Sequence, residues 1–470
     1  MTQEAKNTQS APTDSSAGDA TASTPTLLVV GAGPKAVAIA AKRHMLAKLG
    51  YPVPHVRVID RQGVATHWTG KAGFTDGHQF LGTRPEKDIG FPYLSTCWGD
   101  KELSRAVAKE MVHLSWQSFL IDQLRYADWI DRGRTRPTHR EWSQYIQWVA
   151  EKAEVELYVG EVTSIATTSD QQRWHLTCHS AEGGAPFTVP GNGLVMTGPG
   201  TPLGIPGQPK AHPRIMDGAS FWLRSEEFVQ HRSHITQPLN IGVIGTGETA
   251  AAIVVALVDA LRDSAFIEVI SPYGVIYSRD EGFEENRLFS DPDGRLASLL
   301  GDHQHAANWL QLSEHDRREF VRRTDRGVFS LKAMEELSNA ENVRSVLGTV
   351  RRIHADDTTV RVESEYDGKM KHDEYDYLVV ARGFDALWFR HLLDEVTRAR
   401  MAEVTHSFDG RTIEQAITED LSLSGFMPKL HLPMLAGIAQ GPGFPNLSCL
   451  GLLADRVLAS YSASAFTKRE

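Results

Sequence analysis

Two short stretches, VVGAGPKAVAIAAK at 29–42 and IGVIGTGETAAAIVV at 241–255, carry glycines at a spacing suited to holding phosphate. In the first, Gly31 permits a tight turn, Gly33 lets the backbone approach a pyrophosphate, and Ala36 replaces a third glycine where helix packs on strand. The helix that follows presents its positive N-terminal end to the phosphates, so Gly31, Ala32, Gly33, Pro34 and Lys35 form one candidate contact set. Asp60 stands 24 residues after Ala36 at the end of the next strand, placed to accept from a ribose 2′-OH, which favours FAD or NAD. The second stretch repeats the device with Gly245, Thr246, Gly247, Glu248, Thr249 and Ala250, but its following strand, FIEVISP, ends at Ser271 instead of an acid. That absence admits a 2′-phosphate, pointing to NADPH over NADH, with Arg279 as a candidate phosphate partner.

Two dinucleotide turns in one chain imply hydride transfer from a nicotinamide to a bound flavin. The flavin then passes electrons to a disulfide or other redox partner, or to O2. Cys97, Cys178 and Cys449 are far apart, with no CxxC and no zinc spacing, which favours oxygen and a reducing compartment. The residues alone thus lead to an NADPH-dependent flavin monooxygenase. His303 and His305, beside Asp302, match no recognised metal spacing, and no metal is expected.

These groups need a scaffold, and the chain's 470 residues suffice for two or three domains. From Thr26 the pattern runs strand, glycine turn, helix to about Leu49, the breaker GYPVP, then the strand VRVID, which is a βαβ unit. Helical segments are expected at about 104–131 and 139–153, β-rich stretches to about 198, and a linker at 198–209. A second unit starts near Leu239, 280–345 is polar and helical, and EYDYLVVARGF at 374–384 is another apolar strand closing on a glycine turn. The expected fold class is α/β, with two Rossmann-like dinucleotide-binding domains and a small, mostly helical substrate-binding region. Residues 1–25 read as a disordered tail, 26–205 as the first part of the FAD domain, 206–375 as the NADPH domain with its insert at 280–345, and 376–470 as a C-terminal segment returning to FAD and substrate. A formal charge of -10 speaks against nucleic acid and for a soluble cytoplasmic protein, and no segment is apolar enough to span a bilayer. Homo-oligomerisation is left open.

Several longer blocks, FTDGHQFLGTRPEKDIGFPY (74–93), RGRTRPTHREWSQYIQWVA (132–150), EGFEENRLFSDP (281–292), TDRGVFS (324–330) and GPGFPNLSCLGLLADRVL (441–458), resemble the lysine N-hydroxylases of mycobactin and nocobactin siderophore assembly, a branch of the flavin N-hydroxylating monooxygenases. The resemblance implies NADPH- and O2-dependent N6-hydroxylation of L-lysine through a flavin hydroperoxide. By resemblance Lys87, in the pair Lys87-Asp88, grips the amino-acid carboxylate; Asn286 lies on the substrate and nicotinamide side; and Leu447 and Ser448 line the substrate site. The same resemblance implies that Trp68 stands against the flavin. Read alone, these residues have plainer roles: a surface charge for Lys87, a helix-end or turn residue for Asn286, a core ring for Trp68 and an N-cap for Ser448. The sequence departs from the ornithine branch at Gly82, where that branch has glutamine, at Thr324-Asp325-Arg326, which leaves substrate contact by Asp325 open, and at Ala381-Arg382-Gly383. Ornithine or diamine N-hydroxylation and another class B flavin monooxygenase are the alternatives, with a flavin-binding scaffold further off.

Overall fold

The computed structural model describes residues 24–95, 97–180, 183–209, 211–231, 236–279, 284–291 and 309–462. The expected N-terminal tail up to residue 23, and His303 and His305, lie outside the described residues.

The apolar run Leu27–Val30 is buried on both faces, as a central parallel strand requires. It lies in a five-stranded parallel sheet in the order Lys429–His431, Gly193–Met196, Thr26–Val30, His55–Asp60, Glu156–Val159. After the first turn, Pro34 starts the helix Pro34–Lys48, which has Gly33 as its extended N-cap. Alanines at 36, 38, 40 and 41 let it pack closely on the sheet, and all four are buried. A second five-stranded parallel sheet runs Val343–Leu347, Ala265–Ser271, Leu239–Ile244, Tyr377–Val380, Ile215–Asp217. Beside these lie two three-stranded antiparallel sheets, one of Glu161–Thr167, Trp174–His179 and Phe187–Gly191, the other of Thr349–Ala355, Val360–Tyr366 and Lys369–Tyr375, and a two-stranded parallel pair of Tyr277–Arg279 and Val328–Ser330.

One expectation needs correction. The strand Tyr377–Val380 sits inside the second sheet, so the second unit continues past residue 375 before the chain returns to the first. A four-residue apolar strand has the same signature whichever sheet accepts it. The helical segments expected at about 104–131 are three helices, Lys101–Val112, Trp116–Asp122 and Tyr126–Asp131. Ser115 caps the second by accepting from the Ser118 amide, and Leu124 adopts a left-handed φ of 56° that ends it. No described helix is long and apolar enough to cross a membrane.

The returning C-terminal helix, Leu450–Ala459, packs on the helix Pro34–Lys48. Between them the fully buried Lys42 ammonium meets the Asp455 carboxylate at 3.0 Å, and Trp98 Nε1 donates to the same carboxylate at 3.0 Å.

Candidate active site

The first glycine turn is shaped by neighbours on both sides. Gly31 holds φ at +95°, and a Cβ there would stand 2.3 Å from Thr197 Oγ1, so no larger residue fits. At Gly33 nothing lies within 4 Å of a Cβ position, which leaves an open cradle at the N-terminus of the helix Pro34–Lys48. Ala32 N donates to Asp60 Oδ2 at 3.0 Å, while Asp60 Oδ1 accepts from Gln62 N and Gly63 N. Asp60 therefore ties the strand end to the turn. The Trp68 segment joins the same place, since Ala65 N donates to Ala32 O at 3.0 Å. The Trp68 ring stands edge-on to His139 at 4.7 Å, and burial pushes His139 down to about 4, so it is neutral near pH 7. Lys35 is directed elsewhere: its buried ammonium donates to the carbonyls of Pro445 and Asn446, both at 2.9 Å.

The second turn has the same frame with a different cover. Gly245 holds φ at +128° against Ala381 O, and Gly247 caps the helix Glu248–Leu261. A Cβ at Gly247 would stand 2.9 Å from Arg326 O, so the segment Arg322–Arg326 overlies this turn where the first turn is open. Thr246 is buried in the turn, and the Thr249 methyl packs against Gly218. The Glu248 carboxylate comes within 3.0 Å of a Cβ position at Gly82, so the second turn meets the loop of Gly82 here. Ser271 is buried at the strand end, its Oγ accepting from Gly274 N at 3.1 Å. The side chains of Arg279 and Asp325 lie outside the described residues. The sequence reading missed Arg322, whose guanidinium lies 4.1 Å over the Tyr273 ring and pairs with Glu319. Its separation from Ser271 carries no signal that spacing rules detect.

On the third side, Lys87 follows a short turn in which its amide donates to Arg84 O at 3.1 Å, and its side chain is partly buried. The neighbouring Asp88 carboxylate is buried and accepts from Gly90 N, Trp116 N and Tyr93 Oη. Burial pushes its pKa up to about 6 against the pull of those donors. Asp88 thus anchors the loop that carries Lys87. Asn286, third in the helix Glu284–Ser290, has no exposed surface, and among the described residues neither its amide oxygen nor its nitrogen has a hydrogen-bond partner. The plainer reading of Asn286 as a helix-end residue fits its place in the first turn of this helix, but among the described residues its side chain caps no backbone group. Ser448 is equally buried with an unpartnered Oγ, and the N-cap of the C-terminal helix is Cys449. Leu447 packs partly buried on the hydrophobic core around the strand Thr26–Val30. Burial drives the Cys449 thiol up to about 12, with Asp291 adding to the rise and Lys87, Arg287 and Arg456 opposing it. Cys449 Sγ, Ser290 Oγ and Asn286 O all stand within 3.1 Å of a Cβ position at Gly443, so the Asn286 helix and the Ser448 loop meet there, with the Lys87 charge near enough to act on the thiol. A short relay joins the helix and the loop: Gly443 N donates to Ser290 Oγ at 2.8 Å, and Ser290 Oγ donates to Asn286 O at 2.6 Å.

A buried amide left without partners costs about 1–3 kcal/mol, so a fold that keeps one offers it to a ligand. The cradle at Gly33, the second turn and this polar recess together can hold a flavin dinucleotide, a nicotinamide dinucleotide and a small amine-bearing acid. All three cysteines are free, and no group of three or more metal-ligating side chains occurs among the described residues.

Comparison with known proteins gives the family of the chain. The family model for L-lysine 6-monooxygenase/L-ornithine 5-monooxygenase matches residues 109–386. L-lysine N6-monooxygenase MbtG of Mycobacterium sp. (strain MCS) is 39% identical over 445 residues, covering 93% of this chain and 95% of its own. The MbtG of Mycobacterium tuberculosis (strain ATCC 25618 / H37Rv) is 38% identical over 448 residues, with the same coverage. Among solved structures, lysine monooxygenase NbtG from Nocardia farcinica superposes with a TM-score of 0.77 at 39% identity, over 92% of this chain and 98% of that one. Ornithine hydroxylase PvdA from Pseudomonas aeruginosa shares the fold, with a TM-score of 0.67 at 19% identity over 93% of this chain and 98% of that one. The chain belongs to the L-lysine 6-monooxygenase/L-ornithine 5-monooxygenase family.

Proposed function

We propose that this chain hydroxylates N6 of L-lysine with O2, using FAD at the first glycine turn and NADPH at the second, for hydroxamate siderophore assembly. The observation that carries the reading is the fully buried amide of Asn286, which has no hydrogen-bond partner among the described residues and sits in a helix that meets the Ser448 loop at Gly443. FAD, reduced by NADPH, supplies the activated oxygen. The protein's own part is to bind, orient and dehydrate. Lys87 offers its ammonium to the substrate carboxylate, and Asn286 and Ser448 offer polar atoms to the rest of the amino acid. The amine must react unprotonated, which for a lysine pKa of about 10.4 costs roughly 4 kcal/mol at about pH 7.5. A recess walled by buried groups lowers that cost by disfavouring the charged amine. The free cysteines support a reducing, cytoplasmic setting.

Lysine and ornithine differ by one methylene, worth only about 1–3 kcal/mol in a pocket, so the choice between them needs measurement. Purified yellow protein assayed for hydroxylamine with lysine, ornithine and putrescine is expected to give the highest kcat/KM for lysine. No lysine-dependent hydroxylamine would refute the reading.

The NADPH preference rests on Ser271 at the strand end, and Arg322, over Tyr273, is our candidate cation for the 2′-phosphate. Ser271→Asp would set a carboxylate where that phosphate binds. The expected result is a lower kcat/KM for NADPH with NADH spared; equal loss for both cofactors would remove the phosphate site from this strand end.

A further inference from the structure

We infer that Lys35 is a positioning residue of the substrate site, acting through the loop 441–448 instead of serving as a phosphate ligand. It lies at the start of the helix Pro34–Lys48, in the first glycine turn, and is 7% exposed. Its ammonium reaches across the fold to the carbonyls of Pro445 and Asn446, at 2.9 Å each. A cation in the first turn of a helix opposes the helix dipole, so helix stability does not account for a lysine here. Its bonded geometry does.

The two carbonyls directly precede Leu447 and Ser448. Asn446 carries the restraint onward: its Oδ1 accepts from Ser448 N at 2.7 Å, and its Nδ2 donates to Pro442 O at 3.0 Å. At the other end of the loop, Gly443 N donates to Ser290 Oγ, and Ser290 Oγ donates to Asn286 O. Lys35 is thus the link from the first dinucleotide turn to both unpartnered polar groups of the recess, Ser448 Oγ and the Asn286 amide. With Lys35 held by this loop, phosphate binding at the first turn falls to the open backbone cradle at Gly33. A lysine there ties substrate alignment to the element that holds the flavin. This role rests on the proposed reading that loop 441–448 and Asn286 line the lysine site.

The test compares flavin-loaded, full-length wild type with Lys35→Met and Lys35→Gln, the second keeping a polar group too short to reach both carbonyls. Hydrogen exchange followed by mass spectrometry, without substrate, is expected to show the peptide over 441–449 exchanging at least tenfold faster in both variants. The peptide over 36–48 should be unchanged, and flavin per chain should stay at the wild-type ratio. The lysine KM should rise about tenfold with the NADPH KM unmoved, and Lys35→Arg, which keeps the donors, should recover most of the difference. Flavin loss with unaltered exchange at 441–449 would make Lys35 a cofactor ligand and overturn the proposal, as would unaltered exchange and KM together. If Lys35→Met fails to fold, Lys35→Gln is judged by the same two outcomes. Because exchange is read without substrate, its result stands apart from the wild-type hydroxylamine assay, whose failure would strike the proposed reaction instead.

Discussion

Lys87→Ala is expected to raise the apparent KM for lysine roughly tenfold or more. A charge-assisted hydrogen bond to the substrate carboxylate contributes about 1.5–3 kcal/mol, and each 1.4 kcal/mol or so is a factor of ten. The structure prepares Lys87 for that task by fixing its backbone: the Arg84–Lys87 turn closes on one side, and Asp88, buried under three donors, closes on the other. Both glycine turns keep their own contacts in the variant, so flavin content should not change. NADPH oxidation should therefore continue while oxygen transfer falters, because the amine is no longer held in line. The missing oxygen equivalents should appear as hydrogen peroxide. Hydroxylamine and peroxide formed per NADPH consumed, followed across lysine concentrations, give the answer. A variant with the wild-type KM and coupling ratio would return Lys87 to the class of surface charges.

The second large effect is on stability. Lys42 has no exposed surface, and its ammonium lies 3.0 Å from Asp455 Oδ1 and 3.1 Å from Oδ2, between the helices Pro34–Lys48 and Leu450–Ala459. Removing one member of a buried pair leaves the other charged and desolvated, a loss of about 3–5 kcal/mol. Lys42→Met should therefore unfold at markedly lower denaturant concentration. Burial already pushes the Asp455 carboxyl above the ordinary carboxylate range, with Lys42 opposing the rise. Without Lys42 the folded pKa climbs further above the unfolded one. Stability from a group raised in this way is present at low pH and is lost as pH rises, so the deficit should be smaller at about pH 5 than at about pH 8. The double variant Lys42→Met/Asp455→Leu removes both charges and should regain most of the loss. A single variant as stable as wild type at both pH values would show that the pair contributes nothing to holding the two helices.

The division between what sequence determined and what tertiary structure decided follows the range of the interactions. The two glycine turns were legible because strand, turn, helix and the position after the next strand all lie within a few tens of residues, and each needs only local backbone freedom. Gly31 and Gly245, with left-handed φ and a neighbour close to the missing Cβ, are the residues that local reasoning names. The recess was legible only through resemblance, since a lone lysine, asparagine or serine says nothing about burial. Packing decided that Asn286 has no exposed surface and no partner, and that Ser448 is not the helix cap. The strand Tyr377–Val380 went to the second sheet because Leu239–Ile244 and Ile215–Asp217 offered it edges on both sides, which its four residues cannot announce. Arg322 found Tyr273, and Lys35 found two carbonyls 410 and 411 positions away. A long, flexible, charged side chain declares its chemistry in the sequence, but its partner depends on which distant segment the fold brings within its reach.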